Sequence, residues 1–428
     1  MPDTVHITMD QLQVGLYIYL DLKWFDQPFA FSNFKIKSDE QVKIIRSLGL
    51  QTVRCNPVLS SVGVPPPRAQ TDTPAPAPAP ADAAPDIAPA LVAKRAMIAR
   101  IARQREATTR VEKAFTSTAT AVRDIDKNLF SRPAESVRQA NELVKQIADS
   151  ILAEPELAIQ VMGDNMGGEE LYLHSLNVTI LAMMVARDIK LPAAVIGALG
   201  MGALFHDVGH KKIPTGILQS MAPLSAAERN LYEMHAQYGA DIGTTLHLPP
   251  SVLAIVREHH EMVDGSGYPA RLKGEAIGLL SRIVAIANYY DELCNPVNLA
   301  DALTPHEALS QMFAKLRSKF DPKLLQVFIR CLGVYPPGTI VQLSNGVLGM
   351  VTTINTSKPM KPMIMIYDAD VPKEEAILVD MEHEAEVNIA KAIRPAQVAR
   401  EVYNYLSPRK RVSYYFAVGK PGQDAPRL

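Results

Sequence analysis

His174, the adjacent pair His206-Asp207, His235 and the adjacent pair His259-His260 form an ordered series along the middle of the chain. The last pair runs into Glu261 and the turn Asp264-Gly265-Ser266-Gly267-Tyr268-Pro269. Imidazole nitrogens and a carboxylate are the ligands that suit iron, manganese or zinc. A single histidine in a helix is more often a hydrogen-bonded core or surface residue. Two adjacent pairs together with two further helical histidines are hard to explain that way, so the series predicts a metal centre. Ligands far apart in sequence converge when successive helices carry them into a bundle core.

The elements that must position these residues read as follows. Glu170 and His174 lie four apart in a helical segment and share a face. His206 and Asp207 end the apolar helix Ala193–Phe205 and precede Gly209. Two adjacent ligands at a helix end can grip one metal, or the carboxylate can bridge two. His235 falls in the helical run Ala226–Ile242, and His259-His260 ends a helix that begins near Pro250. Two further apolar stripes at helical spacing run through Val111, Ala114, Phe115, Thr118 and Val122, and through Val137, Leu143, Val144, Ile147 and Ile151. Before them, Pro65 to Pro89 is dominated by Pro and Ala and favours an extended polyproline II spacer.

Both ends of the chain read differently. Val14–Leu20 and Gln51–Cys55 are strand candidates, and Ser38-Asp39-Glu40-Gln41 opens a capped short helix that ends at Gly49. Beyond Tyr335-Pro336-Pro337-Gly338 the period shortens. Strands are predicted at 339–343, 349–352 and 363–367, with turns at Asn345-Gly346 and Asp368-Ala369-Asp370 and a short helix near 395–405. The expected fold is mainly α, a helical bundle with small β-rich units at both termini. The expected domains are 1–60 as a small α/β unit, 61–90 as linker, 91–160 as helices, 161–335 as the metal-binding domain and 336–428 as a β-rich extension.

Composition limits the functions open to this chain. Lys and Arg number 44 and Asp and Glu 45, a net charge of -1, so no global field favours nucleic acid or an anionic membrane. Cys55, Cys294 and Cys331 are odd in number and widely spaced, which fits reduced thiols in a cytosolic protein. The opening Met-Pro-Asp-Thr-Val-His has no basic region or apolar run, so no signal peptide is expected. The most apolar stretch, Val178 to Phe205, is broken by Arg187, Asp188 and Lys190 and predicts buried helices rather than a membrane span.

The ordered pattern resembles the HD-GYP family of metal-dependent phosphodiesterases over roughly residues 160–335. Ile213-Pro214, Leu218, Leu272-Lys273-Gly274, Arg282-Ile283 and Phe320-Asp321-Pro322 support the resemblance. The segment with Leu12, Gly15-Leu16-Tyr17 and Trp24 resembles the uncharacterised domain that often precedes such modules. The resemblance implies hydrolysis of cyclic di-GMP to the linear dinucleotide or GMP, by water activated on two or three iron or manganese ions. It implies His235, His259 and His260 at one metal, with His174, His206 and Asp207 at the other or bridging. Glu170 aligns with a ligand of three-metal members, and Asp207 and His210 are the expected catalytic groups. Gly265, Gly267, Tyr268 and Lys211 are the expected substrate contacts; Tyr268 either stacks on guanine, meets a partner protein or simply fixes the loop. A related cyclic dinucleotide, a partner protein at this loop and a homodimer complete the expected partners, with no nucleic acid.

Three departures from the family pattern stand out. Asn288 occupies the place of an expected Asp ligand, and Asp291, three residues on, aligns with a different Asp of the family. An amide can coordinate a metal but brings no charge. His210 replaces an expected Lys, with lysines displaced to Lys211 and Lys212. Val297 and Ala300 stand where an Arg and a Lys hold the dinucleotide's phosphates. Each lost charged hydrogen bond costs about 1.5–3 kcal/mol. The alternative function these departures raise is a degenerate module that binds nucleotide or a partner without turnover.

Overall fold

The computed structural model describes residues 4–22, 27, 29, 33–64, 117–153, 170–355, 358–369, 371–373, 376–384 and 387–406. The Pro/Ala-rich stretch, the first apolar stripe as far as Phe115, and Trp24 lie outside the described residues. The chain divides into two compact units, Met1–Arg105 with Asp368–Ile377, and Glu106–Tyr367 with Leu378–Leu428.

In the first unit, β1 (Val5–Thr8), β2 (Tyr17–Tyr19), β3 (Asn33–Lys35) and β4 (Thr52–Asn56) form an antiparallel sheet in the order β1-β4-β2-β3. Helix α1 (Asp39–Ser47) follows its predicted cap, with the Ser38 hydroxyl accepting from the Gln41 N–H at 3.2 Å. Ile7, Leu16, Ile18, Ile36, Ile45 and Val53 make its core. Strands β1 and β3 went unpredicted because four and three residues are too few to display an alternation.

The second unit is helical. It contains α2 (117–128), α3 (Pro133–Ala153), α4 (Glu170–Asp188), α5 (Ala193–Phe205), α6 (Thr215–Leu218), α7 (Ala226–Glu233), α8 (His235–Thr245), α9 (Pro250–Glu258), α10 (Leu279–Cys294), α11 (Pro305–Ala314) and α12 (Pro322–Leu332). The predicted run 226–242 is two helices that meet at Met234. Val144, Ile147 and Ile151 of α3 pack with Leu181, Met183 and Met184 of α4 and with Leu199 and Leu204 of α5 in one core. Burying each such side chain contributes about 1.5–3 kcal/mol. Asp321 caps α12 through the Lys323 and Leu324 amides and also pairs with Arg282 of α10 at 2.7 Å, which fixes one helix against the other.

A five-stranded antiparallel sheet follows the bundle: β5 (Ile340–Leu343), β6 (Leu348–Thr353), β7 (Met363–Ile366), β8 (Leu378–Asp380) and β9 (Ile389–Ile393), in the order β8-β7-β6-β5-β9, and then α13 (Arg400–Leu406). Three of these strands were predicted, and the β5–β6 turn places Gly346 at φ 85° as the Asn-Gly pair requires. Cys55, Cys294 and Cys331 are all buried free thiols. Among the described residues no helix is long and apolar enough to cross a membrane.

Candidate metal centre

Three helix ends and one helix face converge on a single point. His206 is the C-cap of α5, His259 the C-cap of α9, His235 the first residue of α8, and His174 projects from within α4. They meet because α4 packs on α5 and α10, and α9 packs on α5 and α8. Gly209 makes the last approach possible. A Cβ there would lie 1.9 Å from the His235 carbonyl oxygen and 2.6 Å from the Gly239 nitrogen, so only glycine lets the 3-10 turn Val208–Lys212 lie against α8.

The ring nitrogens are sorted by their neighbours. Nδ1 of His206, His235 and His259 lies 2.6, 2.7 and 2.8 Å from the carbonyl oxygens of Ala203, Tyr232 and Val256, each three residues back. A carbonyl only accepts, so each Nδ1 carries the proton and each Nε2 presents a lone pair. His174 Nδ1 donates instead to Asp291 Oδ2 at 2.7 Å. Asp291 is fully buried, and its Oδ1 accepts from Asn177 and Asn295 at 2.8 and 2.9 Å. Asp291 therefore does not complete the ligand set; it fixes the tautomer and orientation of His174.

Asp207 divides its two oxygens. Oδ1 is 3.5 Å from His235 Nε2 and 3.6 Å from His259 Nε2, while Oδ2 is 3.3 Å from His206 Nε2 and 3.6 Å from His174 Nε2. Asp207, His235, His259 and His260 offer donor atoms within 4.8 Å of one another, and so do His174, His206 and Asp207. The Nε2 atoms of His235 and His259 stand 3.1 Å apart, and those of His174 and His206 3.2 Å apart. Two ligands of one ion at about 2.1 Å lie about 3 Å apart when adjacent. Asp207 Oδ1 is buried without a hydrogen-bond partner. The facing lone pairs of His235 and His259 beside an orphaned carboxylate oxygen are reconciled by a divalent cation, and the His174–His206 group offers the same donor set once His174 gives up its Nε2 proton, so these residues fit one in each group.

Burial sets the charge states. It pulls His235 down to about 3 and His259 to about 4, against the attraction of Asp207, and takes His260 well below its ordinary value. All three are neutral near pH 7, as ligation requires. His174 differs: burial lowers it too, but the hydrogen bond and charge of Asp291 and the charge of Asp207 outweigh this and raise it to about 9. His210 has Nδ1 3.5 Å from Asp207 Oδ2, its ring 4.3 Å from that of His235, and a buried Nε2 with no hydrogen-bond partner. Burial lowers its pKa against the pull of Asp207, so it presents a neutral ring.

The loop after His260 folds back over it. Tyr268 stacks on the His260 ring at 4.5 Å and 24°, and its N–H donates to the His260 carbonyl at 3.2 Å. Glu261, buried, accepts from the Ala270 and Leu272 amides at 2.6 and 2.8 Å. A Cβ on Gly267 would lie 2.3 Å from the His260 carbonyl oxygen, so this glycine permits close backbone packing, while Gly265 takes φ 81° against the Lys273 side chain. Tyr268 thus covers the His260 ring and ties the loop backbone to the His260 carbonyl.

The chain is similar to several known proteins. Residues 141–324 match the HD domain, residues 4–140 a domain of unknown function (DUF3391), and residues 340–401 a KOW domain associated with the HD domain. The chain is 27% identical over 365 residues to the cyclic di-GMP phosphodiesterase PA4108 of Pseudomonas aeruginosa, covering 84% of each. It is 35% identical over 126 residues to the 3'3'-cGAMP-specific phosphodiesterase 2 of Vibrio cholerae, covering 29% of this chain and 24% of that protein. A solved structure, the HDG"Y"P protein Bd1817 of Bdellovibrio bacteriovorus, aligns with TM-score 0.43 and 16% identity over 76% of this chain and 98% of that one. The chain is thus similar to HD-domain proteins, with the DUF3391 match ahead of the HD match.

Within the HD domain the remaining expected residues fall in two classes. Asn288 lies in the site, 2% exposed; its Nδ2 donates to Glu292 Oε1 at 3.0 Å and its buried Oδ1 has no hydrogen-bond partner. Glu170 opens α4, and its side chain lies outside the described residues. Lys211 pairs with Asp126 at 2.8 Å and its Nζ lies 5.8 Å from the Phe130 ring, so it is engaged away from the histidines. Val297 is 61% exposed and Ala300 is exposed. Sequence reasoning missed Glu292, whose Oε1 lies 4.0 Å from His260 Nε2. Its spacing of four from Asn288 on α10 was the available signal.

Proposed function

We propose that this chain is a metal-dependent phosphodiesterase that hydrolyses a cyclic dinucleotide, cyclic di-GMP first, with a divalent ion, iron or manganese, in each group that shares Asp207. The observation that carries this reading is the division of Asp207, with Oδ1 toward His235 and His259 and Oδ2 toward His174 and His206. The names of the relatives in Pseudomonas aeruginosa and Vibrio cholerae support the substrate class. Bound ions would activate water for in-line attack and offset charge on the phosphoryl oxygens.

The chain's own residues do the rest. His206, His235 and His259 arrive with Nδ1 already committed, so little reorganisation is needed to hold the ions. Asp207 keeps the two groups in one charge system. His210, neutral and carrying an unpartnered Nε2, is placed to accept a proton or a hydrogen bond beside Asp207. Tyr268 covers the His260 ring and limits water on that side.

Substrate holding is weaker by the same logic. The segment 295–301 contains no Lys or Arg, and Lys211 is paired with Asp126. These observations favour a second reading, a module that binds nucleotide or a partner protein without turnover. Purification without oxygen, reloading with Mn(II) or Fe(II) and incubation with cyclic di-GMP and 3'3'-cGAMP separates the two. Linear dinucleotide or GMP as product supports the phosphodiesterase. A full metal complement with no product from either substrate supports the second reading and overturns the first.

A further inference from the structure

We propose that Glu292 is itself a metal ligand, closing the His235–His259–His260 group in place of a carboxylate at position 288, and that Asn288 positions it. The inference rests on the metal reading given above. Glu292 and Asn288 are four residues apart on α10 and so share a face. Glutamate is one methylene longer than aspartate, so a carboxylate one turn further along can reach toward the point a shorter one at 288 would serve. Glu292 Oε1 lies 4.0 Å from His260 Nε2. Two ligands of one ion at about 2.1 Å lie up to about 4.2 Å apart when they are opposite. That spacing is long for a hydrogen bond; Glu292 stands just outside the converged donors Asp207, His235, His259 and His260, and a rotation of its partly exposed side chain would bring it onto an ion shared with His260.

Charge balance gives the second argument. The histidines of this group are neutral donors, and Asp207 is shared with the other group. Asp291 is spent on His174. Glu292 is the further carboxylate within reach, and first-row ions that prefer carboxylate and imidazole together gain from it. The third argument is the hydrogen bond from Asn288. Its Nδ2 donates to Glu292 Oε1 at 3.0 Å, while its own Oδ1 stays buried without a hydrogen-bond partner. An aspartate at 288 could not donate that bond. The departure at 288 and the acid at 292 therefore work as a pair: the amide steers the carboxylate that replaces its charge.

The test compares wild-type protein, Glu292→Gln, and Glu292→Gln combined with Asn288→Asp. Each is stripped, titrated with Mn(II) without oxygen, and read by metal analysis after dialysis and by electron paramagnetic resonance, with circular dichroism of the metal-free forms as the folding control. The wild type should hold two ions. Glu292→Gln should weaken one of them by at least about tenfold, the lower edge of the loss when even an outer partner of a metal ligand is removed. Adding Asn288→Asp should restore the second ion, which a general destabilisation would not do. Two ions held by Glu292→Gln with wild-type affinity would overturn the assignment while leaving the metal reading intact. A wild type that holds no ion would overturn the metal reading and the assignment with it.

Discussion

The floor of the site and its rim solve different problems. On the floor, three fully buried histidines each spend Nδ1 on a carbonyl of the preceding turn, and a fourth spends it on a buried aspartate. Four Nε2 atoms are thereby aimed before any ligand arrives. On the rim, the 295–301 segment carries no cation, Val297 stands 61% exposed, and Lys211 is turned to Asp126. Floor geometry is dictated by how α4, α5, α8, α9 and α10 pack, whereas rim chemistry is dictated by which charges point outward. The contrast teaches that the aim of the histidine cluster and the charge of the rim are set by different parts of the chain.

That separation can be broken or sharpened by experiment. Asp207→Asn attacks the floor where its two halves join. It should drop bound metal below one ion per chain and lower phosphodiester turnover by at least about a thousandfold, the scale of losing several kcal/mol of charge stabilisation. Metal analysis and product assay read both. Asp291→Asn leaves every proposed ligand in place and disturbs only the partner of His174. Metal affinity at the His174–His206 group should fall about 10- to 100-fold, with the other group unchanged.

Restoring the rim is the converse experiment. Val297→Arg together with Ala300→Lys should lower KM for cyclic di-GMP by about tenfold, as expected from one regained charged hydrogen bond, with metal content untouched. A change in metal content would join the two regions that the comparison keeps apart. Acidity separates the two halves of the floor itself. His174, raised to about 9, is protonated near neutral pH and must lose a proton when an ion binds, so affinity there should rise about tenfold per pH unit from 6 toward 9. His235 and His259, lowered to about 3 and about 4, have already lost theirs, so affinity in their group should stay nearly flat over the same range. Calorimetric Mn(II) titrations in two buffers of different ionisation enthalpy measure the proton release directly.

The sequence made the floor legible because adjacent pairs such as His206-Asp207 and His259-His260 are improbable without a shared task. It also located the departures at Asn288, His210, Val297 and Ala300. What it could not show depends on contacts between distant segments. Asp291 reaches His174 across 117 positions, and Asp126 takes Lys211 across 85. Neither follows from local spacing. Helix α5 was readable from its apolar run and α1 from its cap, while β1, β3, β8 and β9, of three to five residues, lack the length to reveal a period. Gly209 was visible as a residue, yet its reason, the carbonyl of His235 in its path, belongs to the fold.

Anomalous diffraction at the manganese edge, from crystals grown with Mn(II) in the absence of oxygen, tests the central claim most directly. The account predicts two peaks flanking the Asp207 carboxylate, one beside His174 and His206, the other beside His235, His259 and His260, each about 2.0–2.2 Å from its ligands. A single peak, no peak, or an Asp207 side chain turned away from either group would contradict it.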